Sequence, residues 1–61
     1  MKLNHKYLAQ LMRENGLRPV DLARKMNMSP QATDYMLKRG GVSYADRLAK
    51  IFKVDRLSLI K

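Results

Sequence analysis

No cysteine occurs in the 61 residues, and there is a single histidine, His5. The first absence excludes a disulfide staple and a thiolate metal site. The second excludes a zinc cluster, which takes about four soft ligands. Tryptophan is missing and phenylalanine occurs once, so the aromatic-rich apolar faces of membrane-surface helices are not there. No apolar run approaches the roughly 20 residues needed to span a bilayer, and residues 1–6 hold no stretch of signal-peptide length. Acidic residues are scarce as well. Asp21 and Asp46 have no histidine or nucleophile at helical spacing, so no catalytic site is legible. The expectation is a chain that is not an enzyme and takes no metal, cofactor or small-molecule ligand.

What is abundant is positive charge: thirteen Lys and Arg against five Asp and Glu, a net charge of +8. A polyanion is the natural partner of such a chain. Hydrophobic residues make up 46% of it and are spread evenly, which suits one small core and a single domain over residues 1–61. That size lies near the lower limit for independent folding, so packed apolar faces must carry the stability, helped by self-association. The lack of cysteine is compatible with a reducing cytoplasm.

Strand signals are absent, and the spacing of apolar residues predicts five helical segments. Asn4 is a good N-cap for the first, whose face carries Tyr7, Leu8, Leu11 and Met12; Asn15 and Gly16 close it. Pro19 opens the second at the first helical position, followed by Val20, Leu22, Ala23 and Met26, with Asn27 as a left-handed stop. Ser29 and Pro30 are the clearest start signal, a capping serine before a proline, for a third helix running to about Lys38. Gly40 and Gly41 end it. Ser43 is read as the cap of a fourth helix with Ala45, Leu48, Ile51 and Phe52 inward. Asp55 is read as the cap of a short fifth, with Leu57 and Ile60 inward and Leu59 in water.

Only Asn27, Met28 and Ser29 separate the second and third helices, a joint that makes two short helices cross steeply. Gly16, Leu17, Asp21, Leu22, Ala23 and Ser29, within the stretch LRPVDLARKMNMSPQATDYMLKR and the glycine before it, fall on the pattern of the lambda-repressor-like helix-turn-helix family, which includes phage Cro and XRE-type regulators. The chain resembles that family over nearly its whole length, since residues 42–60 look like the family's fourth and fifth helices. Departures are Asn27 for the turn glycine, Thr33 for a branched aliphatic, and Arg18 at the capping position of the second helix. Thr33 is expected to bond a backbone carbonyl in its own helix. Met12 and Leu37 stand where relatives often pair arginine with glutamate, and an apolar pair avoids the desolvation cost of a buried ion pair.

The resemblance implies an all-α, compact five-helix domain that binds a double-stranded DNA operator, as a phage or prophage Cro-like repressor in the bacterial or host cytoplasm. Residues 30–38 become the helix that enters the major groove. With Thr33, Met36 and Leu37 inward, Pro30, Gln31, Asp34, Tyr35 and Lys38 face the bases. Gln31 suits a bidentate pair with adenine, and Tyr35 a thymine methyl or a phosphate. Asp34 either accepts from a cytosine amino group or pairs with Lys38. Arg18, Pro19, Ser29, Lys38 and Arg39 are the expected phosphate contacts. His5, Arg47, Lys50, Lys53 and Arg56 are read as solvated. Because one short helix reads too few base pairs to single out a site, a weak homodimer formed on DNA is expected, with Leu59 at its contact. The reading from a different class is a small basic helical module that binds an acidic protein or a membrane surface.

Overall fold

Local capping places the helices. In the computed structural model, which describes residues 1–61, the Asn4 side chain accepts from the Tyr7 amide at 3.2 Å and starts α1, His5–Glu14. Pro19 begins α2, Pro19–Met26. Ser29 accepts from the Ala32 amide at 3.1 Å and starts α3, Pro30–Lys38, with Pro30 at the first helical position. The last helix, α4, spans Ala45–Phe52. The chain is therefore all-α, with two short 3-10 turns, Val42–Tyr44 and Arg56–Leu59, in place of further helix.

Three helices stop in the same way. Gly16, Asn27 and Lys53 take left-handed backbone angles, with φ of 64°, 55° and 57°. The amide of the next residue then reaches back five positions: Leu17 to Met12 at 2.8 Å, Met28 to Ala23 at 2.9 Å and Val54 to Ala49 at 3.0 Å. Leu17, Met28 and Val54 each lie half-buried against the core, which is the apolar contact that accompanies this kind of helix end. Asn27 was readable as such a stop, whereas Lys53 was not, because lysine has no special tolerance for that conformation.

The core gathers one stripe from each helix: Leu8, Leu11 and Met12 of α1, Leu22 and Met26 of α2, Met36 of α3, and Ala45, Leu48, Ala49 and Phe52 of α4. Leu3 and Leu59 complete it from the two ends of the chain. These ends meet in a short antiparallel bridge, Leu3 opposite Ile60, with Asn4 N–H donating to the Leu59 carbonyl at 2.7 Å and Lys61 N–H to Lys2 at 2.7 Å. The radius of gyration is 10.2 Å, which matches the value of about 10.5 Å for a fully packed chain of this length. No helix is long and apolar enough to cross a membrane.

Two expectations are corrected here. Ser43 does not cap α4; it lies inside the 3-10 turn, and Tyr44 is the residue before the helix, without a side-chain cap. The segment after Asp55 is a 3-10 turn that passes into extended backbone at Ile60 (φ −117°, ψ 133°). The tighter turn and the bridge to Leu3 rotate Leu59 into the core, fully buried, and leave Leu57 70% exposed. Leu59 is a core residue rather than a surface contact, and Leu57 does not face inward. Ile60 is half-buried.

Candidate nucleic-acid interface

The inner face of α3 is locked in place. Thr33 and Met36 are fully buried, and Leu37 is partly so. The Thr33 hydroxyl donates to the Ser29 carbonyl at 3.0 Å, which satisfies a buried polar group within the helix's own first turn. Every residue of the other face is exposed: Pro30, Gln31, Asp34, Tyr35 and Lys38. A helix held on one side and bare on the other can present side chains to a surface without rearranging.

Two ion pairs shape the charge around it. Lys38 Nζ lies 3.3 Å from Asp34 Oδ1, with both side chains well exposed, so the alternative in which Asp34 pairs with Lys38 is the geometry of the free chain. Such an exposed pair contributes only about 0.3–0.5 kcal/mol, so it holds the lysine weakly. At the start of α2, Arg18 lacks the oxygen of a normal capping side chain, and Asp21 compensates. Its carboxylate accepts from the Arg18 amide at 2.9 Å and from Arg18 Nε at 3.1 Å. The side-chain and backbone bonds to Arg18 hold the Asp21 carboxyl below its ordinary range, and the same bond raises Arg18 above its own. Arg18, Pro19, Ser29 and Arg39 are all exposed, and of these Arg18 alone has its charge partly spent within the molecule.

Asn27, Met28 and Ser29 connect α2 to α3. The left-handed Asn27 turns the chain, and Ala23, buried on the α2 face, lets the two helices approach. From outside this pair, Arg47 of α4 donates to the carbonyl of Met26, the last residue of α2. Its guanidinium also lies 5.8 Å from the Tyr44 ring centroid. Arg47 therefore satisfies an orphan carbonyl at a helix end where positive charge is favoured, and is not merely solvated. Arg56 is likewise engaged, with Asp46 at 2.9 Å.

His5 is the other residue that sequence reasoning missed. It is half-buried rather than exposed, and its Nε2 donates to the Gly40 carbonyl at 2.9 Å. That bond ties the start of α1 to the loop that follows α3. The 21 and 35 residues that separate these two donors from their acceptors leave no local signal for either contact. A shallow recess lies elsewhere, lined by Asn4, Lys6, Tyr7, Gln10 and Ser58, and no residue of α3 borders it. No group of His, Asp and Glu is placed to hold a metal ion. Compared with family models, with curated proteins and with solved structures, the chain matches none of them.

Proposed function

We propose that the chain is a sequence-specific double-stranded DNA-binding protein, a transcriptional regulator of the Cro-like repressor kind, which lays α3 in the major groove. The observation that carries the reading is the bare face of α3, with Gln31 and Asp34 toward its start and Tyr35 and Lys38 beyond. It stands beside a three-residue joint to α2, in a chain of net charge +8. In this reading α2 and α3 are the two helices of a helix-turn-helix, and the 3-10 turn Arg56–Leu59 stands in for a fifth helix.

The roles follow from the chemistry of each side chain. Gln31 near the start of α3 supplies a donor and an acceptor side by side, the pattern that adenine presents in the major groove. Arg39, free of any ion pair, and Lys38, released from Asp34, meet phosphates at the far end of α3. Ser29, Pro19 and Arg18 meet them at the helix starts, where amides and the helix dipoles favour an anion. Two copies act on half-sites related by a dyad, and the regulator works in the cytoplasm of a bacterium or a phage-infected host. Leu59 takes no part in that pairing; Leu57 is the apolar side chain its segment leaves at the surface.

Selection of bound duplexes from a random pool tests the reading. It should enrich one motif with two related halves, and affinity for that motif should fall with salt with a log–log slope on the order of −4 to −6 per bound pair. A pool that stays random after repeated rounds would remove the proposal. A preference for acidic protein or anionic vesicles over the enriched duplex would do the same.

A further inference from the structure

Gly40 and Gly41 follow α3 side by side and do different work. Gly41 has φ +100°, and a Cβ built there would lie 2.6 Å from Met36 Cγ and 3.0 Å from Leu3 Cδ2. It is a requirement of the core and of the turn itself. Gly40 is not in the left-handed region, so its φ does not require glycine. What a Cβ at Gly40 would meet first is one side chain: Tyr35, at 2.9 Å from Cε1, 3.5 Å from Cδ1 and 3.7 Å from Cζ. One edge of the Tyr35 ring thus lies where a side chain at position 40 would stand, while the residue remains 62% exposed.

The loop that forms this rest is itself held. The Arg39 and Gly40 amides both reach the Tyr35 carbonyl, at 2.9 and 3.3 Å, and His5 Nε2 holds the Gly40 carbonyl from α1 at 2.9 Å. An exposed tyrosine on a helix ordinarily moves among rotamers. Here one side of the ring has a wall, and the wall is braced by a histidine 35 residues away in sequence.

We infer that Gly40 and His5 are positioning residues that hold the Tyr35 ring for apolar contact with a thymine methyl, and so set base preference at one position of each half-site. The inference rests on the DNA-binding reading of α3. A methyl is recognised by shape, and shape contact needs a ring fixed to within a fraction of an ångström. A phosphate contact through the Tyr35 hydroxyl would tolerate a swinging ring and would need no such support.

The test uses the full chain and the duplex enriched from a random pool, with a scrambled duplex as reference. Circular dichroism establishes that each variant is folded. Gly40→Ala pushes only the ring aside, and should lower the ratio of enriched to scrambled affinity about tenfold while leaving scrambled affinity within about twofold. Replacing the contacted thymine by deoxyuridine, which removes the methyl alone, should cost the wild-type chain a similar factor and cost Gly40→Ala almost nothing. His5→Ala should resemble Gly40→Ala, and His5→Gln, whose amide N–H reaches the same carbonyl, should restore discrimination. In the free protein, Gly40→Ala should shift the Tyr35 ring resonances. Tyr35→Phe should keep the discrimination; if it instead weakens both duplexes equally, Tyr35 is a phosphate contact and the inference is wrong. Wild-type discrimination kept intact in Gly40→Ala also overturns it. A wild-type chain that prefers no duplex removes the DNA reading itself, a failure distinguishable from the other two.

Discussion

Leu59→Ala tests the closing segment of the fold most sharply. Leu59 is fully buried in one cluster with Leu3, Leu8 and Leu48, whereas Leu57, two residues earlier, is 70% exposed. Truncating a buried leucine costs about 3–5 kcal/mol, from the lost transfer free energy and the cavity left behind. The lower end applies because a short terminal turn can settle partly into the void. A chain of 61 residues has on the order of 3–9 kcal/mol of stability in all, so a loss of about 3 kcal/mol removes a third or more of it. At about 4–8 °C per kcal/mol for a domain of this size, the thermal midpoint falls by about 12–24 °C. Leu57→Ala, made in parallel, should change stability by less than about 0.5 kcal/mol. Far-UV circular dichroism against temperature and urea measures both. Equal effects, or a larger one at Leu57, would refute the 3-10 register and restore an α-helical turn with Leu57 inward.

Arg47→Ala should cost about 1–2 kcal/mol in urea denaturation by leaving the Met26 carbonyl at the end of α2 without its partner, while Lys50→Ala should be nearly silent. Lys53→Gly should raise stability by about 0.5–1 kcal/mol, because a side chain is strained at the left-handed angle that ends α4; a fall would show that the lysine side chain makes up for that strain. Asp21 is held below its ordinary range in the folded chain, so its contribution is fully present above about pH 4 and is lost as acid takes the pH down through the lowered folded value. Wild type and Asp21→Asn should therefore differ in midpoint at neutral pH and converge in strong acid.

What the sequence disclosed was decided within a turn of the residue concerned. Asn4, Ser29 with Pro30, and Asn27 act through bonds to neighbours three to five positions away, so their residue types alone locate the starts of α1 and α3 and the end of α2. The buried stripe of α3 followed from its spacing, and the bond of the Thr33 hydroxyl from a threonine standing at a position of the inward face. The misreadings have more than one cause. Ser43 falls inside the 3-10 turn that leads into α4 and so cannot cap it, whereas at Leu59 the bridge between Leu3 and Ile60 fixes the last turn from the opposite end of the chain. His5 and Arg47 look like solvated surface until the fold brings the carbonyls of Gly40 and Met26 to them. Local chemistry wrote the helices, and contacts between distant segments decided how they are tied together.

Whether the bare face of α3 reads base edges can be seen residue by residue in a nuclear magnetic resonance titration. Isotope-labelled protein is titrated with the enriched duplex and, separately, with a scrambled duplex of equal length. Gln31 side-chain amide, Tyr35 ring and Asp34 backbone resonances should shift with the enriched duplex and differ clearly in the scrambled one. Arg18, Ser29 and Arg39 amides should move alike in both, as phosphate contacts do. Shifts centred on the recess around Tyr7 and Ser58, or identical patterns for the two duplexes across α3, would show that α3 does not read bases.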